Sequence, residues 1–125
     1  MKKFSKNWNS SKKPRKQRKF RLGAPLHIKQ KFVHTHLSKD LRKKYGKRSV
    51  GLRKGDKIKV MAGQFRKLEG KVEKIDLKKT RVFVNGAEIT KKDGTKKMLA
   101  LNPSNLMITE LNLDDKFRQK LLERK

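Results

Sequence analysis

With 125 residues, 38 Lys and Arg against 11 Asp and Glu, and a formal net charge of +27, the chain has material for one small domain that needs a polyanionic partner, because this much like charge repels itself in a compact state. Hydrophobic residues make up 33%, below the ~45–50% usual for soluble domains, so part of the chain orders on its partner and not in a core of its own. The lack of Cys excludes a disulfide framework and a thiolate metal site, and the longest apolar run, Met98–Leu101, falls far short of the roughly 20 residues of a membrane span.

The basic start lacks the apolar segment of a secretory signal, so the chain is read as cytoplasmic and Asn9-Ser10-Ser11 as a chance match to a glycosylation acceptor. Charge is uneven: residues 1–50 hold 18 Lys and Arg and one acid, Asp40, residues 51–109 hold 15 and 6, and residues 110–125 hold 5 and 4. The division that follows is a basic unstructured arm at 1–22, a short helical extension at 23–51, a barrel at 52–109 and a C-terminal helix at 110–125.

In the arm, Phe4, Trp8, Phe20 and Leu22 show no period, while Lys12, Lys13, Arg15, Lys16, Arg18, Lys19 and Arg21 form a dense basic run. Such a run can be a solvated tail, or it can thread between RNA helices and neutralise phosphates. Its aromatic residues can stack on unpaired bases or serve as anchors. In the extension, Pro25 suits a first helical position, and Ile28 and Phe32 then share a face. A second helix has Ser38 as N-cap, a stripe of Leu37, Leu41 and Tyr45, and Gly46 as C-cap. Lys29, Lys31, Arg42, Lys43, Lys44, Lys47 and Arg48 supply cations for RNA, with His27 as a further RNA contact, and Arg53 and Lys54 continue them into the barrel.

From residue 52 the pattern becomes β-like. Lys57-Ile58-Lys59-Val60 alternates, and Val72 with Ile75, Val82 with Val84, Leu99 with Leu101 and Leu106 with Ile108 give further short strands, the Val72–Ile75 spacing marking a bulge or a strong bend. Turn chemistry separates them at Gly55-Asp56, Gly63, Gly70, Asn85-Gly86, Asp93-Gly94 and Asn102–Asn105. Short strands in so few residues close a small barrel, with Ile58, Val60, Val72, Val82, Val84 and Ile108 as core. Lys57, Lys59 and Lys71 fall on outward faces and rank below Arg66 and Lys67, which lie in the Gly63–Gly70 loop. Gly63 and Gly70 allow either close backbone approach to RNA or plain hairpin geometry. The tail reads as a helix with Leu113, Phe117 and Leu121 on one face and Arg124 and Lys125 at its end.

Catalytic and metal patterns fail. His27, His34 and His36 have only Asp40 nearby as a further ligand, so a metal site is not expected. Gly63 to Gly70-Lys71 has the wrong glycine spacing for a phosphate-binding loop and no Ser or Thr after the Lys. No carboxylate pair stands out. Neither enzymatic activity nor a cofactor or small-molecule substrate is expected.

The segment Arg53-Lys54-Gly55-Asp56-Lys57-Ile58-Lys59-Val60-Met61-Ala62-Gly63-Gln64-Phe65-Arg66-Lys67-Leu68-Glu69-Gly70-Lys71-Val72 resembles the KOW motif. The whole chain is similar to the archaeal and eukaryotic branch of one universal large-subunit ribosomal protein family, numbered twenty-four in bacteria and twenty-six in eukaryotes. The likeness includes Lys12–Lys19, Ala24-Pro25-Leu26-His27, Leu37–Tyr45, Asp93-Gly94-Thr95, Pro103–Ile108 and Leu121–Lys125. It implies an SH3-like barrel that binds the 5′ region of large-subunit rRNA early in assembly and ends near the peptide exit tunnel. Its neighbours there are other large-subunit proteins, and no homo-oligomer is implied. Lys67 stands where many relatives have Gly, Ala62 where a basic residue is frequent, and Asn102 where His precedes Pro-Ser. Two other readings compete on charge or motif alone: a KOW-type transcription elongation factor, for whose partner domain the chain has no room, and a non-specific nucleic-acid-compacting protein.

Overall fold

The computed structural model describes residues 4, 5, 7, 8 and 10–124; Asn9 of the acceptor-like triplet and Lys125 lie outside them. The elements run α1 (Pro14–Gly23), α2 (Leu26–Phe32), β1 (His34–Leu37), α3 (Lys39–Tyr45), β2 (Ser49–Gly51), β3 (Lys57–Val60), β4 (Glu69–Asp76), β5 (Arg81–Val84), β6 (Glu88–Thr90), β7 (Lys96–Met98), a 3-10 turn (Pro103–Asn105), β8 (Leu106–Glu110) and α4 (Lys116–Glu123). One sheet has the order β2-β1-β8-β3-β4-β5, and β6 and β7 form a separate hairpin. The sheet curls because β5 also meets the chain at Leu101, through Val82 N–H to Leu101 O at 3.0 Å and Leu101 N–H to Val82 O at 2.8 Å. The 3-10 turn then returns the chain to β8, giving a small barrel-like sheet.

Alternation explains the strands. In β3 and β5 the apolar residues Ile58, Val60, Val82 and Val84 point inward, as does Val72 of β4 and Ile108 of β8. The β4–β5 register shifts between Val72 and Lys74, which is the expected bulge. Leu99–Leu101 forms a single bridge where a strand was expected, because Leu99 N–H turns to Ala87 O and only Leu101 faces β5.

Two parts of the sequence division are corrected. The run from Pro14 is a helix, not an unstructured arm. Pro14 occupies its first turn, and Arg, Lys, Gln and Leu are good helix formers. The extension at 23–51 is not only helical. Its β1 pairs parallel with β8 and antiparallel with β2, and Val33, Leu37, Val50 and Leu52 join the main core. Pro25 precedes α2 as its N-cap instead of opening it. The expected caps of α3 are present: Ser38 Oγ accepts from Leu41 N–H, and Gly46 closes the helix at φ 64°.

The tail helix begins after Asp115, whose carboxylate accepts from Phe117 N–H at 2.8 Å. The side-chain bond from Arg53, then that cap, holds Asp115 below the ordinary carboxylate range. This stabilisation is present at neutral pH and fades as pH falls through that lowered value. The face that carries Leu113, Phe117 and Leu121 is turned outward: Phe117 is 81% exposed and Leu121 51%. The helix docks instead through Leu122 and Arg118, both buried. Arg118 donates to Asp56 from both terminal nitrogens, at 2.6 and 2.7 Å, and to Asn112 O and Gly51 O at 2.8 and 3.2 Å. Asp56 also accepts from the backbone N–H groups of Arg53 and Asn112, at 2.8 and 2.9 Å.

Breaking that pair leaves a buried charge without its counter-charge. Asp56→Ala is expected to lower stability in urea by about 3–5 kcal/mol, while Arg53→Ala, at the half-exposed pair with Asp115, has little effect. Equal small losses would show that the buried pair does not hold α4. The backbone is strained at Lys67, whose φ is 75° in the β3–β4 loop. Lys67→Gly is expected to stabilise the protein by about 0.5–1 kcal/mol, the relief of a left-handed residue less the entropy of Gly in the unfolded chain. A lower urea midpoint with an unchanged slope would contradict this.

Candidate nucleic-acid interface

The cations expected to meet RNA fall into three groups. On α1 and just before it, Lys12, Lys13, Arg15, Lys16, Arg18 and Lys19 are exposed. Arg21 lies over the Phe32 ring, 5.7 Å from its centre. Phe20 is the hub of this region: it stacks on Trp8 at 4.2 Å and packs against Phe4 at 5.0 Å and Phe32 at 6.2 Å. The aromatic residues therefore anchor the start of the chain to α1 and α2 instead of standing free for bases.

The second group surrounds a cleft between α2, β2, the β4–β5 turn and α4. His27, Lys31, Lys47, Arg53 and Lys54 line it, joined by His34, while Leu52, Ile75, Leu77 and Leu121 give it an apolar floor. Lys47 Nζ donates to Leu121 O, and Arg53 pairs with Asp115, so two cleft residues also hold α4. Burial, and then the nearby Lys31 charge, lowers the His34 pKa from its ordinary value, which favours the neutral ring. Among the described residues no carboxylate lines this cleft. Lys29 donates to Lys78 O at 3.2 Å. Arg42 Nε donates to Leu37 O at 2.8 Å, which fixes α3 on β1. Lys43, Lys44 and Arg48 are exposed, with Lys44 over the Tyr45 ring at 5.4 Å.

The third group is the β3–β4 loop, where Arg66 and Lys67 are exposed and Gly63 turns at φ 99° with open space around it. Gly70 has an internal reason to be Gly: a Cβ there would lie 2.4 Å from Asn85 O. Lys57 and Lys59 pair with Glu110 and Glu69, each at 2.9 Å, and Lys71 is exposed on β4. Among the described residues no three His, Asp or Glu side chains form a metal-ligand cluster.

Sequence reasoning missed His34 as a cleft residue because β1 was not expected. It also passed over a depression lined by Lys79, Arg81, Lys91 and Lys97 beside Phe83 and Ile89. The signal there was the pair of Lys-Lys steps flanking the Asp93-Gly94 turn of the β6–β7 hairpin.

The model of a family described as ribosomal proteins, numbered L26 in eukaryotes and twenty-four in archaea, matches residues 11–125. Large ribosomal subunit protein uL24 of Methanosphaera stadtmanae is 49% identical over 115 residues, covering 92% of this chain and 98% of that protein. The same protein of Methanothrix thermoacetophila is 49% identical over 91% of this chain and 98% of its own length. That of Methanocorpusculum labreanum is 47% identical over 91% and 94%. The chain belongs to the uL24 family of ribosomal proteins, in its archaeal and eukaryotic branch.

Proposed function

We propose that this chain is a non-enzymatic structural constituent of the large ribosomal subunit in the cytoplasm, and that it binds the 5′ region of large-subunit rRNA early in assembly and ends near the peptide exit tunnel. The observation that carries the reading is the placement of exposed cations on α1, α3, the β3–β4 loop and a cleft lined by no carboxylate among the described residues, in a chain similar over nearly its whole length to large-subunit proteins. In this reading the barrel is a rigid platform, and the helices and loops neutralise phosphates. The exposed Leu113 and Phe117 are an apolar surface for a neighbouring large-subunit protein. The four-part division also stands as a proposal, with the first part now a basic helix and the second tied to the barrel by β1 and β2.

In a native lysate separated by sedimentation, the protein is expected with large subunits and their precursors. Its recovery with RNA polymerase would favour an elongation-factor role, and its recovery on DNA a compacting role.

The α1 cations have their own test. Lys12, Lys13, Lys16 and Lys19 changed together to Gln should leave the fold intact, because all four are exposed. Each phosphate left without its lysine should reduce the slope of log K against log[salt] for an rRNA fragment by about 0.7–0.9, so a drop of about 3 is expected if all four serve. An unchanged slope would mean that α1 stays in solvent when the RNA is bound.

A further inference from the structure

We infer that the cleft between α2, β2 and α4 receives a single unstacked nucleotide of the bound RNA, its base on the apolar floor and its phosphates on the lysine rim. The inference rests on the RNA-binding reading and adds to it a site and a ligand class.

The cleft has a volume of about 840 Å³, within the range of sites that enclose small molecules. Its chemistry is divided. Leu52, Ile75, Leu77 and Leu121 form one apolar surface, and Lys31, Lys47 and Lys54 stand around it. A nucleotide divides in the same way, into a flat base of low polarity and an anionic phosphate. A duplex cannot present a base face to such a floor, because its bases are stacked; a bulged or looped nucleotide can. His34 lies in the cleft wall with its ring against Gly51, where an added Cβ would sit 3.5 Å from Nε2. A neutral imidazole there offers one donor and one acceptor to a base edge. Among the described residues no carboxylate lines the wall, and the Asp115 carboxylate that meets the wall residue Arg53 is already paired with it.

Two further depressions differ. The one against α1 is walled by Phe4, Trp8 and Phe20, which already pack on one another. The one under the β6–β7 hairpin includes the Asp76 carboxylate.

The test uses the full chain and two RNA hairpins that differ by one bulged adenosine, at matched salt. The wild type should bind the bulged hairpin about fivefold more tightly or better, the gain from burying ~40 Å² of a base face against aliphatic side chains. Leu121→Glu places a carboxylate in the cleft from an exposed helix position and should bring the ratio to about one. Leu121→Met should keep the preference. Leu77→Glu approaches the same space from the β4–β5 turn, so either acidic variant can serve if the other fails to fold. Equal wild-type affinities for the two hairpins would overturn the inference while leaving RNA binding standing, and this is the result expected if the cleft serves an acidic peptide. A preference that survives in the folded acidic variant would overturn it too. Failure to bind either hairpin would overturn both the inference and the RNA-binding reading.

Discussion

The buried pair of Arg118 and Asp56 fixes how the last part of the chain meets the rest. Asp56 sits in the turn before β3, and its two carboxylate oxygens accept from Arg118 and from the backbone of Arg53 and Asn112. One carboxylate thus ties the turn after β2 to two stretches far along the chain, the segment after β8 and α4. Taking both charges out of water is costly, and only this number of well-aligned bonds offsets the cost. Geometry is gained along with stability. A planar guanidinium held at both terminal nitrogens allows α4 one rotation about its axis, and that rotation turns Leu122 inward and leaves Leu121 facing the cleft.

The core and the surface work under opposed demands. A formal charge of +27 repels itself, and the apolar content is low. The core answers with Val, Ile and Leu on short strands, so that nearly every inward position is filled while outward positions stay free for Lys and Arg. Several cations are neutralised inside the fold, as Lys57 is by Glu110, Lys59 by Glu69 and Arg53 by Asp115. Among the described residues, those of α1, most of α3 and the β3–β4 loop have no carboxylate partner within ion-pair distance. Local neutralisation of Lys57, Lys59 and Arg53 separates these structural cations from those available to a polyanion.

Much of this was legible in the residues, and the failures have physical reasons. β3 and β5 follow from alternation alone, α3 from Ser38 and Gly46, and the bulge from the Val72–Ile75 spacing. β1 and β2 were not legible: His34-Thr35-His36-Leu37 and Ser49-Val50-Gly51 are too short to show a period, and their strand character comes from pairing, β1 with the distant β8 in the register of His36 with Met107. α1 was missed because it lacks an apolar stripe, and helix propensity with a Pro start is a weaker signal than periodicity. In α4 the i, i+4 spacing of Leu113, Phe117 and Leu121 showed a helix but not which face docks. The face that docks carries an arginine, and only the partner Asp56, 62 residues distant, makes its burial favourable. Of the site, the cations themselves were legible from density of charge. Their division into an α1 surface, a cleft and a loop was not, since the cleft exists only where β2, the β4–β5 turn and α4 converge.

The same convergence links stability to recognition. Leu121 serves the cleft through its side chain and holds Lys47 through its carbonyl oxygen, while Arg53 lines the cleft and pairs with the residue that caps α4. The wall of the cleft and the docking of the helix are therefore one set of contacts. Arg118 has four hydrogen bonds through its terminal nitrogens, and its Nε, also buried, has no partner among the described residues. A wall fixed by a bidentate pair moves little when a ligand enters, so ordering entropy lost on binding is small on the protein side. In the proposed reading the stems of Lys31 and Lys54 at the rim bear most of that loss, and they can adjust to phosphates whose positions vary with the RNA. A rigid apolar floor beneath adaptable charges is what a fold of this size can offer to an irregular RNA surface, because the few residues of its core are already committed to holding the platform together.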